Sequence, residues 1–251
     1  MSRPVLVWIA DALSPWRAPD AEARLARELA ARSGWSLESV ADEEGEGSGT
    51  FPQPLSHAYR RLGELQARVG EAAPVAIGGC GAGAGIAAAV ALLTQRYDEE
   101  PPAATVLLAP LLDARLASPS WPRFADAAER WQMEAALAAY APGLDRSDPL
   151  LSPLLAERLE GLPTTAIVTA AEDPMRDDGE RYAERLRAAG VTVVGHRYPG
   201  TDHTQACGGG TSAEGAAVVS GLAAALRLIL SRSTQFGGAS SSRSADATHP
   251  A

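Results

Sequence analysis

Residues 75–94 read VAIGGCGAGAGIAAAVALLT, and this stretch is the most informative part of the chain about its fold. Residues 75–77 have the continuous apolar character of a buried strand, and the alanine-rich residues at the end of the stretch favour a helix. The residues between them are all small. A strand that turns sharply into a helix needs glycine at the bend, because larger side chains would clash there. The stretch therefore predicts a buried strand, a tight turn and a helix.

The turn also fits the pattern small-x-nucleophile-x-small, in which a nucleophilic side chain points from a strained bend into a cleft. Ser, Cys or Asp is the residue type that such a bend is built to present. No Ser or Asp stands among these small residues. Residues 78–82 (GGCGA) fit the pattern with Cys80 at its centre, so Cys80 is an alternative nucleophile. The bland alternative is that the glycines only let the helix pack closely on the sheet.

A nucleotide site is a further interpretation of the same glycines. Gly79, Gly81 and Ala84 fit G-x-G-x-x-A, the dinucleotide fingerprint. That fingerprint stands at the first strand–helix turn of its domain, and an acidic residue ends the next strand. Neither condition is clearly met, and the absence of a following Lys-Ser/Thr excludes a P-loop. We therefore predict no cofactor.

Composition limits the classes of protein that the chain represents. Its 251 residues suffice for one α/β domain. The net charge of −9 and the pI of about 5.0 argue against nucleic acid or an anionic membrane as partner. Cys80 and Cys207 are too few for a disulfide scaffold and lack the spacing of a metal site, so we predict no metal and a reducing, cytoplasmic location. The first residues have neither the length nor the flanks of a signal peptide.

The remaining sequence alternates between strand and helix patterns, which predicts a mostly parallel sheet flanked by helices. Residues 113–162 hold no strand pattern and carry Trp121 and Trp131, so we expect a helical lid over a pocket. Residues 42–49 are acidic and glycine-rich and predict an exposed loop. We assign residues 1–232 to the domain and predict a disordered tail at 233–251. Further strands are predicted at 5–9, 36–40, 105–109, 165–170 and 192–198, and further helices at 21–33, 55–69, 179–189 and 213–230.

Two polar loops follow late strands. Asp173 comes after the strand at 165–170, and His203 comes after the strand at 192–198. Parallel strands end at one crevice, which is where such sheets bind ligands. The order bend, Asp, His is that of the triads in α/β-hydrolases. The order of the two residues, together with their places after strands, predicts that Asp173 and His203 form an acid–base pair beside the bend.

Most of the chain, from about residue 4 to 230, resembles the hormone-sensitive-lipase-like branch of the α/β-hydrolases, the bacterial carboxylesterases. The resemblance implies an α/β-hydrolase fold with Asp173 as the acid and His203 as the base. It rests on five segments: Phe51-Pro52 with His57-Ala58-Tyr59, residues 118–121 (SPSW), residues 145–153 (DRSDPLLSP), residues 173–179 (DPMRDDG) and residues 198–203 (YPGTDH).

The chain departs from that family at two places. The family's elbow reads G-D-S-A-G-G-N, and its ungapped match is residues 79–85, GCGAGAG, which places Gly81 at the serine. The family's HGGG oxyanion loop is replaced by residues 10–13, ADAL, which contain Asp11. The leading strands of the family's sheet also have no counterpart, so we expect an N-terminally shortened sheet. The residues expected at the bend and the substrate pocket are Gly79, Gly81, Ala82, Asp11, Trp121 and Trp131.

Three functions follow from these departures. The first is a repurposed enzyme in which His203 and Asp173 move a proton for elimination, isomerisation, cyclisation or hydration of a small carbonyl or ester compound, by analogy in secondary metabolism. The second is a hydrolase with Cys80 as nucleophile. The third is an inactive pseudo-hydrolase that binds a ligand or partner. We expect a small-molecule substrate, and the sequence leaves both a monomer and a homodimer open.

Overall fold

A computed structural model describes residues 3–16, 19–40, 49–208 and 210–237, with side chains described as far as residue 231. Strands and helices alternate along most of the chain. The strands are β1 (Val5–Ile9), β2 (Ser36–Ser39), β3 (Val75–Cys80), β4 (Thr105–Leu108), β5 (Thr165–Ala170) and β6 (Val193–Tyr198). The helices are α1 (Pro19–Ser33), α2 (Gln53–Val69), α3 (Gly81–Arg96), α4 (Ser120–Phe124), α5 (Ala127–Tyr140), α6 (Arg176–Ala188), α7 (His203–Cys207) and α8 (Ala213–Gly237).

The six strands form one sheet in the order β2-β1-β3-β4-β5-β6, and every neighbouring pair is parallel. The predicted α/β-hydrolase fold is confirmed. Both faces of the sheet are covered, as β1 illustrates. Val5, Val7 and Ile9 enter the apolar cluster on one face, and Leu6 and Trp8 enter the cluster on the other. Successive side chains of a strand point to opposite faces, so a strand covered on both sides must be apolar throughout.

The helices form a layer on each face of the sheet. Apolar side chains of α2, α3 and α6 belong to the cluster on one face, and those of α1 and α8 belong to the cluster on the other. Charged residues at both ends of α6 also stabilise that helix. Asp177 and Asp178 lie in its first turn and Arg185 and Arg187 in its last, where they match the helix dipole.

Several predicted boundaries differ from the observed ones. The strand β2 ends at Ser39, one residue earlier than predicted, although the backbone N–H of Val40 still donates to the carbonyl oxygen of Trp8 at 3.0 Å. The helices α1, α2 and α6 each begin earlier than predicted, and α1 and α2 begin with a proline in the first turn, a position that suits proline. The helix α8 continues to Gly237, so the start of the predicted tail is helical. The predicted loop at 42–49 falls almost wholly, and the rest of the tail entirely, outside the described residues.

The predicted lid region, residues 113–162, contains α4 and α5 and no strand. Its fully buried Trp121 packs with Met133 and Leu137 of α5 in an apolar cluster. That cluster includes Ala82 from the first turn of α3. The segment therefore packs beside the end of β3, and its role as a lid stays a prediction.

One stretch of α8, Ala213–Ser231, is long and apolar enough to cross a membrane by length and composition alone, with a mean hydropathy of 1.6. Its residues Val218, Val219, Leu222 and Leu226 are fully buried against the sheet and α1. The apolar face of α8 is thus used in the core of the domain.

The glycines of residues 78–85 bring α3 unusually close to β1. A Cβ atom on Gly83 would lie 2.7 Å from the carbonyl carbon of Ile9 and 2.7 Å from the carbonyl oxygen of Ala10. A Cβ atom on Gly79 would lie 2.6 Å from the carbonyl carbon of Gly83. Both neighbours are backbone atoms and cannot move aside. Small residues at these positions are therefore required for packing, whatever else the turn does.

We expect Gly83→Ala to destabilise the fold by about 1–3 kcal/mol or more, because the added methyl overpacks α3 against β1. The measurement is the free energy of unfolding in urea. Gly63→Ala is the matched control: Gly63 lies inside α2, is exposed, and has nothing within 4 Å of an added Cβ. Gly63→Ala should raise the free energy of unfolding by up to about 1 kcal/mol, because alanine has a higher helix propensity than glycine. Equal effects of the two substitutions would contradict the close approach.

Candidate active site

The bend between β3 and α3 lies at Gly81. Cys80 ends the strand with φ −115° and ψ 147°, and Gly81 follows with φ +55°. That conformation favours glycine over residues with a side chain. Cys80 is fully buried in the cluster that contains the apolar side chains of α1 and α8. The sharp bend that the sequence predicts therefore lies at Gly81, one residue after Cys80.

The carboxylate of Asp11 fills the space that a side chain on Gly81 would occupy. A Cβ atom on Gly81 would lie 2.6 Å from Cγ of Asp11 and closer still to its Oδ2. Asp11 follows β1, and the register of β1 against β3 brings the ends of the two strands side by side. The glycine at the bend thus leaves room for a carboxylate from the neighbouring loop.

Hydrogen bonds fix Asp11 in this position. Its backbone N–H donates to both carboxylate oxygens of Glu22, at 3.1 and 3.0 Å. Its Oδ1 accepts from the backbone N–H groups of Leu13 at 3.0 Å and Ser14 at 3.1 Å. Its Oδ2 is buried without a hydrogen-bond partner and lies 3.6 Å from Nε2 of His203. One oxygen of Asp11 is therefore anchored, and the other faces the histidine.

His203 is the first residue of α7 and is held from its other side by Asp173. The capping box of Asp202 and Gln205 fixes the start of α7. Nδ1 of His203 lies 3.0 Å from Oδ2 of Asp173, and Oδ1 of Asp173 accepts from the backbone N–H of Met175 at 2.8 Å. The structure therefore brings the two predicted residues together as a hydrogen-bonded pair in the interior.

The imidazole lies between two carboxylates. Burial by itself would lower the pKa of His203, but Asp173 and Asp11 outweigh burial and raise it to about 10. The ring is thus a cation at neutral pH, and each of its N–H groups faces a carboxylate. Burial also raises the pKa of the Glu22 carboxyl, to about 7. The imidazolium of His203 can give up an N–H proton only to a group that lies close to Nε2 or Nδ1.

Two residues of this centre, Trp16 and Glu22, were not predicted from the sequence. Trp16 stacks at a tilt over His203, with the ring centroids 5.5 Å apart, and its Nε1 donates to Glu129 at 2.7 Å. Glu22 lies under the loop that carries Asp11 and is 3% exposed. No motif marks either residue, because each one meets the site through a contact between distant segments.

A cavity of about 420 Å³ opens beside Asp11 and the first turn of α3. Its described lining is mainly apolar and includes Asp11, Ala82, Ile86, Leu111, Leu137 and Tyr140. Neither Trp121 nor Trp131, which were both expected at the pocket, is among the residues that line this cavity. Trp121 is buried in the lid, and Trp131 is 69% exposed because the opposite face of α5, with Met133 and Leu137, packs inward.

The two cysteines are joined, contrary to the expectation of a reduced pair. A disulfide links Cys80 to Cys207, whose Cα atoms are 6.3 Å apart. The sequence separation of 127 residues hid this contact. Sγ of Cys207 also lies 3.7 Å from Nε2 of His203. These three donor atoms lie within 4.8 Å of one another, but bonded sulfurs offer no thiolates, and we assign them no metal.

The pattern of the alpha/beta hydrolase fold family matches residues 17–206, which is most of the chain. The chain belongs to that family. The matched region includes the bend at Gly81, Asp173 and His203, whereas Asp11 lies just before it.

The curated relatives are esterases. Over 143 residues the chain is 41% identical to Carboxylesterase NlhH of Mycobacterium tuberculosis, and the match covers 54% of this chain and 45% of that protein. Over 153 residues it is 38% identical to Carboxylic ester hydrolase LipN of the same organism, covering 58% and 39% of the two chains. The match therefore spans less than half of the length of either relative.

Solved esterases share the fold across nearly the whole chain. A hyperthermophilic esterase from Pyrobaculum calidifontis superimposes with a TM-score of 0.80 at 26% identity, covering 91% of this chain and 77% of that one. A bacterial heroin esterase gives a TM-score of 0.76 at 28% identity, covering 91% and 75%. These likenesses support an origin among hydrolases.

The contact between Asp11 and the bend predicts a non-additive pair of substitutions. Gly81→Ala alone should cost about 3 kcal/mol or more, since it adds backbone strain to a clash with the carboxylate. In an Asp11→Ala background the clash is relieved, and the double variant should be more stable than the sum of the singles by about 1–3 kcal/mol. Urea unfolding of the four proteins measures this difference.

Gly143 provides the matched control for that cycle. It has φ +70° and nothing within 4 Å of an added Cβ, so Gly143→Ala introduces the strain without the clash. Gly143→Ala and Asp11→Ala should add within about 0.5 kcal/mol. If Gly81→Ala and Asp11→Ala were also additive, this would refute the overlap of the added methyl group with the carboxylate of Asp11.

The buried imidazolium predicts a pH dependence of stability. Because the folded pKa of His203, about 10, lies above its unfolded value of 6.5, its contribution is complete below about pH 6.5 and is lost as the pH rises towards 10. An NMR titration of the imidazole should give an apparent pKa well above 8. Asp11→Asn should lower it, and Asp148→Asn, at an exposed carboxyl, should not. A wild-type value near 6.5 would exclude the cation.

Proposed function

We propose that this chain hydrolyses a small carboxylic ester without a covalent acyl-enzyme, by proton transfer through Asp11 and His203. The observation that supports it is the position of Asp11, whose unpartnered Oδ2 stands at the bend and 3.6 Å from Nε2 of His203. Gly81 takes the place of the family's serine in this proposal. A glycine cannot form an acyl-enzyme, so a water molecule must attack the ester directly.

Asp11 and His203 have complementary roles in that step. Asp11 accepts a proton from water as the water oxygen attacks the ester carbonyl, and the His203 imidazolium gives its Nε2 proton to the departing alkoxide. The proton on Asp11 then returns to Nε2. The products are a carboxylic acid and an alcohol, and both side chains regain their starting states. Asp173 holds the imidazolium in position throughout through Nδ1.

The negative oxygen that forms during attack needs a donor. The N-terminus of α3 has no side-chain cap, so the first-turn amides, beginning at Ala82, are oriented towards the site. The loop after β1 contributes less, because the amides of Leu13 and Ser14 already donate to Asp11. We therefore assign the oxyanion to the start of α3, where the helix dipole also favours negative charge.

The cavity suits a small and mainly apolar substrate. Its volume of about 420 Å³ and its lining by Ile86, Leu111 and Leu137 favour an acyl or alcohol group without charge. The reaction needs no cofactor, and we propose a small molecule as the partner of this site.

Non-hydrolytic chemistry on a carbonyl compound is the second candidate. The same pair, with Asp11 as base and His203 as acid, can move a proton between carbon and oxygen, as isomerisation or elimination requires. The absence of a nucleophilic side chain at Gly81 favours this candidate equally. A hydrolase with Cys80 as nucleophile would need the disulfide to be reduced, and a ligand-binding pseudo-hydrolase would need only the cavity.

The test is turnover of short-chain activated esters by wild-type, Asp11→Asn and His203→Gln proteins. We expect each substitution to lower kcat by about 10²–10⁴-fold, because each removes one proton carrier. The oxidised wild-type protein should stay active after treatment with a thiol reagent. Asp148→Asn is the control for a lost surface carboxyl.

Other outcomes separate the candidates. No ester turnover, together with His203-dependent exchange of an α-proton of a carbonyl probe in D₂O, would favour the non-hydrolytic enzyme. Activity that appears only after reduction and is then lost to a thiol reagent would favour Cys80. Neither reaction, with thermal stabilisation by small esters, would leave the ligand-binding pseudo-hydrolase.

A further inference from the structure

The disulfide connects the two halves of the candidate active site. Cys80 immediately precedes Gly81, and Cys207 lies one helical turn after His203 on α7. The bond therefore ties the bend to the short helix that carries the histidine. The oxidation state of this pair bears directly on the surroundings of His203.

Two groups compete for Nε2 of His203. Oδ2 of Asp11 lies 3.6 Å from it, and Sγ of Cys207 lies 3.7 Å from it. A disulfide sulfur is uncharged, so Asp11 is the charged partner of Nε2 in the oxidised protein. A free Cys207 thiol beside an imidazolium loses its proton readily and becomes a second anion at the same nitrogen.

We propose that Cys80 and Cys207 form a reversible oxidation site that selects the partner of His203. In the disulfide form Nε2 faces Asp11, and in the dithiol form it pairs with the Cys207 thiolate. The other charged groups around this contact are Asp173 on Nδ1 and Glu22 beneath Asp11. Both are present in either state, so the difference arises from the sulfurs.

The oxidant is a disulfide of the glutathione class. The Cys207 thiolate attacks one sulfur of glutathione disulfide and releases one glutathione, and the Cys80 thiol then attacks Sγ of Cys207 and releases the second. Two protein thiols lose two protons and two electrons, and one glutathione disulfide becomes two thiols. The burial of the pair supports this order, because Cys207 is partly exposed and Cys80 is completely buried.

The first experiment follows the pair in glutathione buffers of graded composition. The fraction of alkylated cysteine, read by mass spectrometry after acid quench, should change with buffer composition in one two-electron transition that links Cys80 to Cys207. Two cysteines that stay alkylatable in glutathione disulfide would overturn the proposal. One equivalent of Zn²⁺ that binds the reduced protein and blocks oxidation would also overturn it.

The second experiment tests the contact with His203. Thiolate absorbance near 240 nm is titrated in Cys80→Ser, which leaves only Cys207, and in Cys207→Ser, which leaves only Cys80. The Cys207 thiolate should form with a midpoint below about pH 7.5, and that of Cys80 above about pH 8.5, because Cys80 lies among apolar side chains. His203→Gln added to Cys80→Ser should raise the Cys207 midpoint.

Equal midpoints for the two cysteines, or a Cys207 midpoint unchanged by His203→Gln, would show that the sulfur and the imidazole are not paired. Neither experiment measures catalysis, so the oxidation site stands or falls separately from ester hydrolysis. Circular dichroism of each variant verifies that the fold is retained before titration.

Discussion

The absence of a side chain at Gly81 is the constraint on which the candidate site depends. In this fold the bend between β3 and α3 directs its side chain towards the catalytic histidine, and here that space holds the carboxylate of Asp11 from the loop after β1. Any larger residue at the bend would displace Asp11. The glycine, the carboxylate and the imidazolium of His203 therefore form one unit, and none of them can be changed without affecting the others.

This unit changes the electrostatics of the site. A serine beside the histidine is neutral, whereas Asp11 and Asp173 together hold His203 as a cation, with its pKa raised to about 10. The proposed chemistry therefore uses an imidazolium that gives a proton, and not a neutral imidazole that takes one from a nucleophile. The same proposal divides the roles of base and acid between Asp11 and His203.

The same compact arrangement explains why the disulfide lies where it does. The close packing of α3 against β1, required by Gly79 and Gly83, fixes the end of β3 and with it Cys80. The short helix α7 carries both His203 and Cys207. The two proposals, ester hydrolysis and reversible oxidation of the cysteine pair, therefore meet at one nitrogen, Nε2 of His203, through contacts of similar length.

The amino-acid sequence was enough to predict the fold, because the continuous apolar strands, the small residues at 78–85 and the places of Asp173 and His203 after late strands are patterns with known periods and positions. It also located the pair of Asp173 and His203, since parallel strands end at one edge. The exposure of Trp131 could not be predicted. Three contacts also depend on the tertiary structure: Asp11 fills the bend, Trp16 covers the histidine, and Cys80 is bonded to Cys207. Each of these contacts joins segments that are distant in the chain, and their distances depend on how closely α3, α5 and α7 pack, which no local pattern encodes.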